Sequence, residues 1–353
     1  MDIDHFRAEF PITRRFAFLN HAGVSPLSLR ASQAIEAHIE QAQMLPIELF
    51  IQQLTAVTAE LKQRVATLIG AAGPDEIVEM PNVATGINTV AQSLPLRAGD
   101  NVLVLDGDYP ANIYPWLNLA PKGVLVKWVP QQAGGLDLDR LAARIDGRTR
   151  AIALSTAMFA TGFRNDMAAV GGLCREHNLF FVVDAIQTLG AFPLDVEACH
   201  IDFVACGSQK WLLSAPGSGF LYCRRERLAE LQPGAYVGAA STVDPLNFLD
   251  YNFTLQPTVD RFLIGTPNFL GRVALHAMLG LLLEVGPARI AERVIDVAGV
   301  LIEDLQARGY RILSNLQPEH RSGIVIVEVP DAQAAYNKLL AADVVTAVRG
   351  AGL

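Results

Sequence analysis

The sequence predicts an α/β protein: a large domain with a mainly parallel sheet flanked by helices, plus a smaller α+β domain built from the N- and C-terminal segments. Three observations predict it. Strand-like apolar runs alternate with helix-periodic segments through the middle of the chain, the pattern of a doubly wound sheet. The run Leu179 to Val183 is apolar throughout, with the length and β-branched content of a strand buried on both faces. A chain of 353 residues, 51% hydrophobic and 18% charged, is long enough for two domains and has the composition of a folded protein. The expected division is 29–270 for the large domain and 1–28 with 271–353 for the small one.

Taken in order, residues 1–16 read as a short amphipathic helix, and Phe18 to Pro26 as a strand entering a turn. Helical periodicity covers Leu29 to Gln43 and Ile47 to Ile69, until Gly70 and Gly73-Pro74 break it. A short strand, Glu76 to Met80, leads into Pro81 to Asn88, a strand-to-helix junction with Thr85 as a possible N-cap. Its first-turn amides and the Thr85 hydroxyl are suited to a phosphate. Strands follow at Asn101 to Leu105, Val124 to Val129 and Ala151 to Ser155, with helices from near Asp137 and from Asp166 to His177. Beyond the centre, Ala274 to Leu283 reads as a core helix, Ala288 to Arg308 as a long helix, Gly323 to Val329 as a strand and Asp331 to Ala342 as a helix.

Composition excludes several function classes. A formal charge of −8 without a long Lys/Arg run argues against a nucleic-acid surface. The acidic start Met1-Asp2-Ile3-Asp4 is unlike a signal peptide, and no apolar stretch approaches the roughly 20 residues needed to span a bilayer. Cys174, Cys199, Cys206 and Cys223 form no C-x-x-C pair, so no metal is expected, and reduced thiols in the cytoplasm are.

The stretch from Leu179 to Cys223 carries the chemistry. Asp184 ends one buried strand, at the strand edge where open α/β sheets place their ligands. A second strand, Ile201 to Ala205, leads into Gly207-Ser208-Gln209-Lys210, and the Gly-rich hairpin Pro216 to Phe220 follows. An acid and an amine so placed form either a buried salt bridge or a catalytic pair. Asp184-Ala185-Ile186-Gln187, followed 26 residues after Asp184 by Lys210, resembles the fold-type I pyridoxal phosphate enzymes. Within these it is similar to the class V aminotransferase family, which includes cysteine desulfurases and isopenicillin N epimerase. The resemblance runs from about Phe18 to the C-terminus.

The resemblance implies pyridoxal 5'-phosphate as cofactor, Lys210 as the Schiff-base lysine and Asp184 as the partner of the ring nitrogen. The chemistry supplies its own reasons: an amine condenses with the aldehyde, and a carboxylate keeps the pyridinium protonated. Desolvation lowers the lysine's pKa, so that Lys210 can move the proton at the substrate α-carbon. The resemblance further implies Ala84 and Thr85 at the phosphate, Tyr109 stacked on the ring, Gln187 at the ring oxygen, and Ser208 and Gln209 beside the lysine. His21 and Ala22 are implied substrate contacts. Thr266, in the FLIGTPN segment, is implied to reach the phosphate of a neighbouring subunit, which makes the expected state a homodimer. Two departures stand out: Phe159 replaces an asparagine of the desulfurases, and Ser208 lies one place nearer the lysine than their serine.

Fold does not fix the reaction. The expected activity on an amino acid or amine is aminotransferase-like or epimerase-like. Cysteine desulfurase or selenocysteine lyase chemistry is the rival, and a non-catalytic homodimeric binding protein on the same fold is the reading from another class. A nucleotide-binding protein fits poorly, since neither G-x-G-x-x-G nor a Walker A pattern follows an early strand. No cysteine follows Cys223, where desulfurases carry their nucleophilic thiol. The family also continues past a segment like Val344 to Gly350 into a strand whose arginine grips the substrate carboxylate. A shortened chain is therefore one expectation, with Arg349 as the nearest substitute clamp.

Overall fold

The structure is a computed structural model and describes residues 3–353 except Ala235, Phe248 and Ala351. Its strands are β1 (Ala17–Phe18), β2 (Ile77–Glu79), β3 (Asn101–Leu105), β4 (Leu125–Val129), β5 (Thr149–Ser155), β6 (Phe180–Asp184), β7 (Phe203–Gly207), β8 (Gly219–Cys223) and β9 (Val344–Val345). Seven of these form one sheet in the order β2-β8-β7-β6-β5-β3-β4. Pairing is parallel from β7 through β4, and β8 runs antiparallel to both its neighbours. All residues of β3, β6, β7 and β8 are buried, as the continuous apolar runs demand when helices cover both faces.

The strand order fixes the ligand edge. From β3 the chain moves outward to β4, then returns to the other side of β3 to form β5 and β6. The carboxyl ends of β3 and β5 are thus a topological switch point, where a crevice opens. The helix Val83–Ser93 packs on β7 closely enough that a Cβ on Gly86 would lie 2.9 Å from that of Ala205.

Helices cap as their sequences dictate. Asp137, Asp166, Asn268 and Asp331 each accept a first-turn amide at their helix starts. The junction after β2 departs from expectation, because Asn82 and not Thr85 is the N-cap; its Oδ1 accepts from Thr85 N at 2.9 Å and Thr85 Oγ1 at 3.0 Å. The helix starts three residues earlier than a Thr85 cap requires.

The two ends of the chain meet in the parallel pair β1–β9, with Ala17 opposite Val344. Helix Phe269–Val285 packs on Leu29–Met44 and Ile47–Ile69, and its Leu275, Leu279 and Leu282 share a buried cluster with Leu61 and Val65. Two expectations change here. The N-terminal helix is only Ile3–Ala8, followed by a 3₁₀ turn at Pro11–Arg14, because proline removes a backbone donor and restarts the chain. Gly323 to Val329 forms only single-residue bridges, Ile312 to Val327 and Glu328 to Gly352. Ser322 and Ser314 hydroxyls take the amides of Ile324 and Ile326 that a continuous ladder uses.

Between β6 and β7 the backbone crosses close to the lysine turn. Gly190 has φ +102°, and a Cβ there would lie 2.1 Å from the carbonyl oxygen of Trp211, the residue after Lys210. Gly190→Ala is expected to cost about 1–3 kcal/mol or more. Thermal denaturation checks this, and a midpoint unchanged from wild type would show that the Trp211 backbone yields freely.

Candidate active site

Four strand ends deliver the candidate groups to one edge. Tyr109 follows β3, Ser155 ends β5, Asp184 ends β6 and Lys210 follows β7. Asp184 is 1% exposed, and among the described residues its one side-chain hydrogen bond is Oδ1 accepting from Ile186 N at 3.0 Å. Burial pushes its pKa up to about 7, with the charge of nearby Asp108 adding to the rise and Lys210 opposing it. Burial lowers the pKa of Lys210; the Asp184 carboxylate works against this and the Arg349 guanidinium with it.

Acid and amine therefore feel each other across a gap. Among the described residues no ion pair within 4.0 Å joins Asp184 to Lys210, so the pair is not the direct buried salt bridge that the residue types also allow. The lysine Nζ instead lies 5.3 Å from the centroid of the Tyr109 ring, which is 43% exposed and open to stacking. Phe159 meets that ring edge-on at 5.2 Å and 81°. Phe159 cannot donate or accept a hydrogen bond, so it serves as a wall for the platform.

The lysine turn is held from the N-terminal side. Ser25 N donates to Gln209 O at 2.8 Å, and Ser25 Oγ donates to Lys210 O at 2.6 Å. Since that hydroxyl proton is committed, His21 Nδ1, 2.9 Å away, donates to Ser25 Oγ. The His21 ring lies 5.5 Å from Trp211, and burial lowers its pKa. Gln187 Nε2 donates to Ala22 O at 3.3 Å. Beyond the lysine, Leu213 sits at φ +57°, a left-handed backbone that a Leu adopts only when the surroundings hold it.

Most predicted residues are brought together, though in two groups. Lys210, Asp184, Tyr109, Gln187, Gln209, His21 and Ala22 surround the lysine turn. Ala84, Thr85 and Thr266 line a cleft of about 680 Å³ with the hairpin Gly217 to Gly219 and the buried Glu79–Arg272 ion pair. Lys210 and Asp184 do not line that cleft. Ser208 itself lines neither that cleft nor the apolar cavity beside His21, although its neighbour Ser218 lines the cleft. Ser208 is fully buried, and its hydroxyl lies 2.6 Å from both Ala215 O and Ser218 Oγ, turned into the hairpin. His21 lines a second, apolar cavity of about 290 Å³ with Phe6, Phe10, Trp211 and Leu281.

Three buried amide oxygens among the described residues, Asn112 Oδ1, Gln187 Oε1 and Gln209 Oε1, have no hydrogen-bond partner, and the two glutamines belong to the group around the lysine turn. Native interiors rarely leave such atoms bare, so the pair marks a polar group's place beside Lys210. A partly buried amine, a buried carboxylate without an ion-pair partner among the described residues, an aromatic platform and orphaned amides together fit a pyridine-ring cofactor. Sequence reasoning missed Asp108 and Ser155, which stand directly behind Tyr109 and Asp184. Asp108 also follows a strand end, and the rule that singled out Asp184 applies equally to it.

Comparison with known proteins decides the family. The class V aminotransferase profile matches residues 18–352. The chain belongs to that family. A cysteine desulfurase of Klebsiella pneumoniae is 28% identical over 337 residues, covering 92% of this chain and 82% of that protein. Among solved structures, an apo cysteine desulfurase from Thermococcus onnurineus superposes with a TM-score of 0.88 at 23% identity, over 97% of this chain and 86% of that one. A cystine C-S lyase, solved with its product cysteine persulfide, gives 0.86 at 25% identity over 95% of this chain and 91% of that one. The fold of these class V neighbours is the mostly parallel sheet described above.

The pH dependence of the cofactor-free protein tests the site's electrostatics. Asp184 has its folded pKa raised from 3.8 to about 7, so its contribution to stability is fully present below pH 3.8 and is lost as pH rises through 7. Cofactor-free Asp184→Asn is therefore expected to match wild type near pH 4 and to exceed it at pH 8, by up to about 4 kcal/mol. Urea denaturation across this range measures the difference; a constant offset contradicts the burial account.

Proposed function

We propose that this chain is a pyridoxal 5'-phosphate-dependent enzyme that moves a proton at the α-carbon of an amino acid or amine, in aminotransferase-like or epimerase-like turnover. Family membership makes it a pyridoxal phosphate enzyme. The observation that carries the residue assignment is the gap between Asp184, fully buried, and Lys210, partly buried, held at one crevice without contact. In this reading the cofactor, when bound, supplies an electron-withdrawing ring to the substrate carbon. Asp184 holds the proton of its ring nitrogen, Tyr109 stacks on its face, and Gln187 and Gln209 meet its polar edge. Ala84, Thr85 and Thr266 hold the phosphate. Lys210, whose pKa burial lowers, takes and returns the α-proton.

Arg349 is the proposed holder of the substrate carboxylate. It is close enough to lower the Lys210 pKa, its Nη1 donates to Val348 O at 2.8 Å, and among the described residues it makes no ion pair. We also propose a homodimer in the cytoplasm, with Thr266 completing the partner's phosphate site. Within one chain Thr266 already lines the cleft of Thr85. Mixing Lys210→Ala with Thr266→Ala subunits separates the arrangements: hybrids regain a native site only if Thr266 crosses. The small domain is proposed to be built on β1 and β9, which join its two segments.

A second reading, cysteine desulfurase or C-S lyase, is favoured by the names of the relatives. Burial raises the pKa of all four thiols, so none is an activated nucleophile. Sulfur chemistry at this site is thus proposed to leave no persulfide on Cys174, Cys199, Cys206 or Cys223.

Incubation with a panel of amino acids in D₂O tests both readings. Solvent deuterium is expected at the substrate α-carbon, with Lys210→Ala slower by roughly 10²–10⁴-fold. Exchange unaffected by that substitution contradicts the role of Lys210. Sulfide release from cysteine with a persulfide mapped to one of the four cysteines establishes the second reading instead.

A further inference from the structure

Among the described residues, most buried acids have a cation or a helix cap to answer for them. Asp202 pairs with Arg224 and Arg227, and Asp100 with Arg150. Asp108, 6% exposed, has no basic partner among the described residues. Four neutral donors surround it instead. Oδ1 accepts from Tyr109 N at 2.7 Å and Ser155 Oγ at 2.5 Å; Oδ2 accepts from Ser155 N at 2.9 Å and Asn112 Nδ2 at 3.0 Å.

The placement of these donors is informative. Tyr109 N–H belongs to the ring over Lys210, and Ser155 lies opposite Asp184 in the β5–β6 register. The Asp108–Ser155 bonds therefore stitch the ends of β3 and β5 together at the topological switch point. Both oxygens are filled by donors, and three of the four are N–H groups that cannot reverse. This set fits the carboxylate and leaves no ready acceptor for an acid proton on the N–H side. Burial holds the Asp108 pKa above the usual carboxylate value, the four donors work against that rise, and the negative charge of the ionised form is felt at Asp184.

We propose that Asp108 is a positioning residue for the site: it fixes Tyr109 over Lys210, ties the β5 neighbour of Asp184 in place, and adds a second negative charge behind Asp184. The inference rests on the pyridoxal phosphate reading and deepens it. A second carboxylate behind the ring-nitrogen partner favours every positive charge formed at the crevice. It raises the proton affinity of both the ring nitrogen and the lysine-bound nitrogen. A residue that only stabilised the fold would leave those affinities unchanged.

The test uses cofactor-loaded protein and reads its visible absorption against pH, with circular dichroism in the same band as a report of ring orientation. Asp108→Asn removes the charge while keeping the shape. It is expected to lower the pH midpoint of the band by about half a unit or more, a roughly threefold loss of proton affinity, and to weaken the induced dichroism. Ser155→Ala, which keeps the backbone donors, is expected to weaken the dichroism alone. If Asp108→Asn cannot be purified folded, Ser155→Ala decides: wild-type dichroism overturns the inference. A wild-type midpoint and dichroism in folded Asp108→Asn overturn it also. Absence of any visible band in wild-type protein supplied with cofactor overturns the underlying reading and this inference together, whereas a normal wild-type band with unchanged variants overturns the inference alone.

Discussion

The site depends on one unresolved electrostatic opposition. Asp184 and Lys210 are both withdrawn from water at the ends of adjacent parallel strands, and no direct ion pair relieves either. Removing an ion from water costs several kcal/mol, and a nearby opposite charge compensates only at close range. The protein alone thus keeps the acid partly protonated near neutrality and lowers the proton affinity of the amine. In the proposed assignment, a protonated pyridine nitrogen beside Asp184 and an aldehyde beside Lys210 would relieve both at once.

The rest of the fold can be understood as the means of holding that opposition. Buried strands β3, β6 and β7 leave their end residues no freedom to move toward one another. The lysine turn is pinned by Ser25 on one side and by the close pass of Gly190 under Trp211 on the other. His21 contributes at one remove, since its ring N–H orients the Ser25 hydroxyl that meets the Lys210 carbonyl. Tyr109 is likewise set by contacts it does not make to any ligand: Phe159 at its edge and Asp108 at its amide.

How much of this was legible in the sequence follows from the range of each interaction. β3, β6 and the helices Leu29–Met44 and Ile47–Ile69 stand out because a buried strand and an amphipathic helix write their burial directly as periodicity. Asp184 and Lys210 stand out because each interrupts an apolar run at a strand end. Ser208 is singled out by type, whereas the direction of its hydroxyl, into the hairpin, depends on contacts the local sequence does not show. Asn82 and Thr85 are both able N-caps, and only the position of the first helical turn separates them. Gly323 to Val329 has strand composition, yet serine hydroxyls compete for its amides through contacts the local sequence does not show. Asp108 was passed over inside a turn-rich segment, since its partner Ser155 lies 47 residues away.

The central claim is that Lys210 is the amine to which the cofactor attaches. Borohydride reduction of cofactor-supplemented protein, followed by proteolysis and peptide mass mapping, tests it most directly. The account predicts a single reduced cofactor adduct, on Lys210, lost in Lys210→Ala without transfer elsewhere. An adduct on Lys62, Lys122, Lys127 or Lys338 in place of Lys210, or no adduct at all, contradicts it.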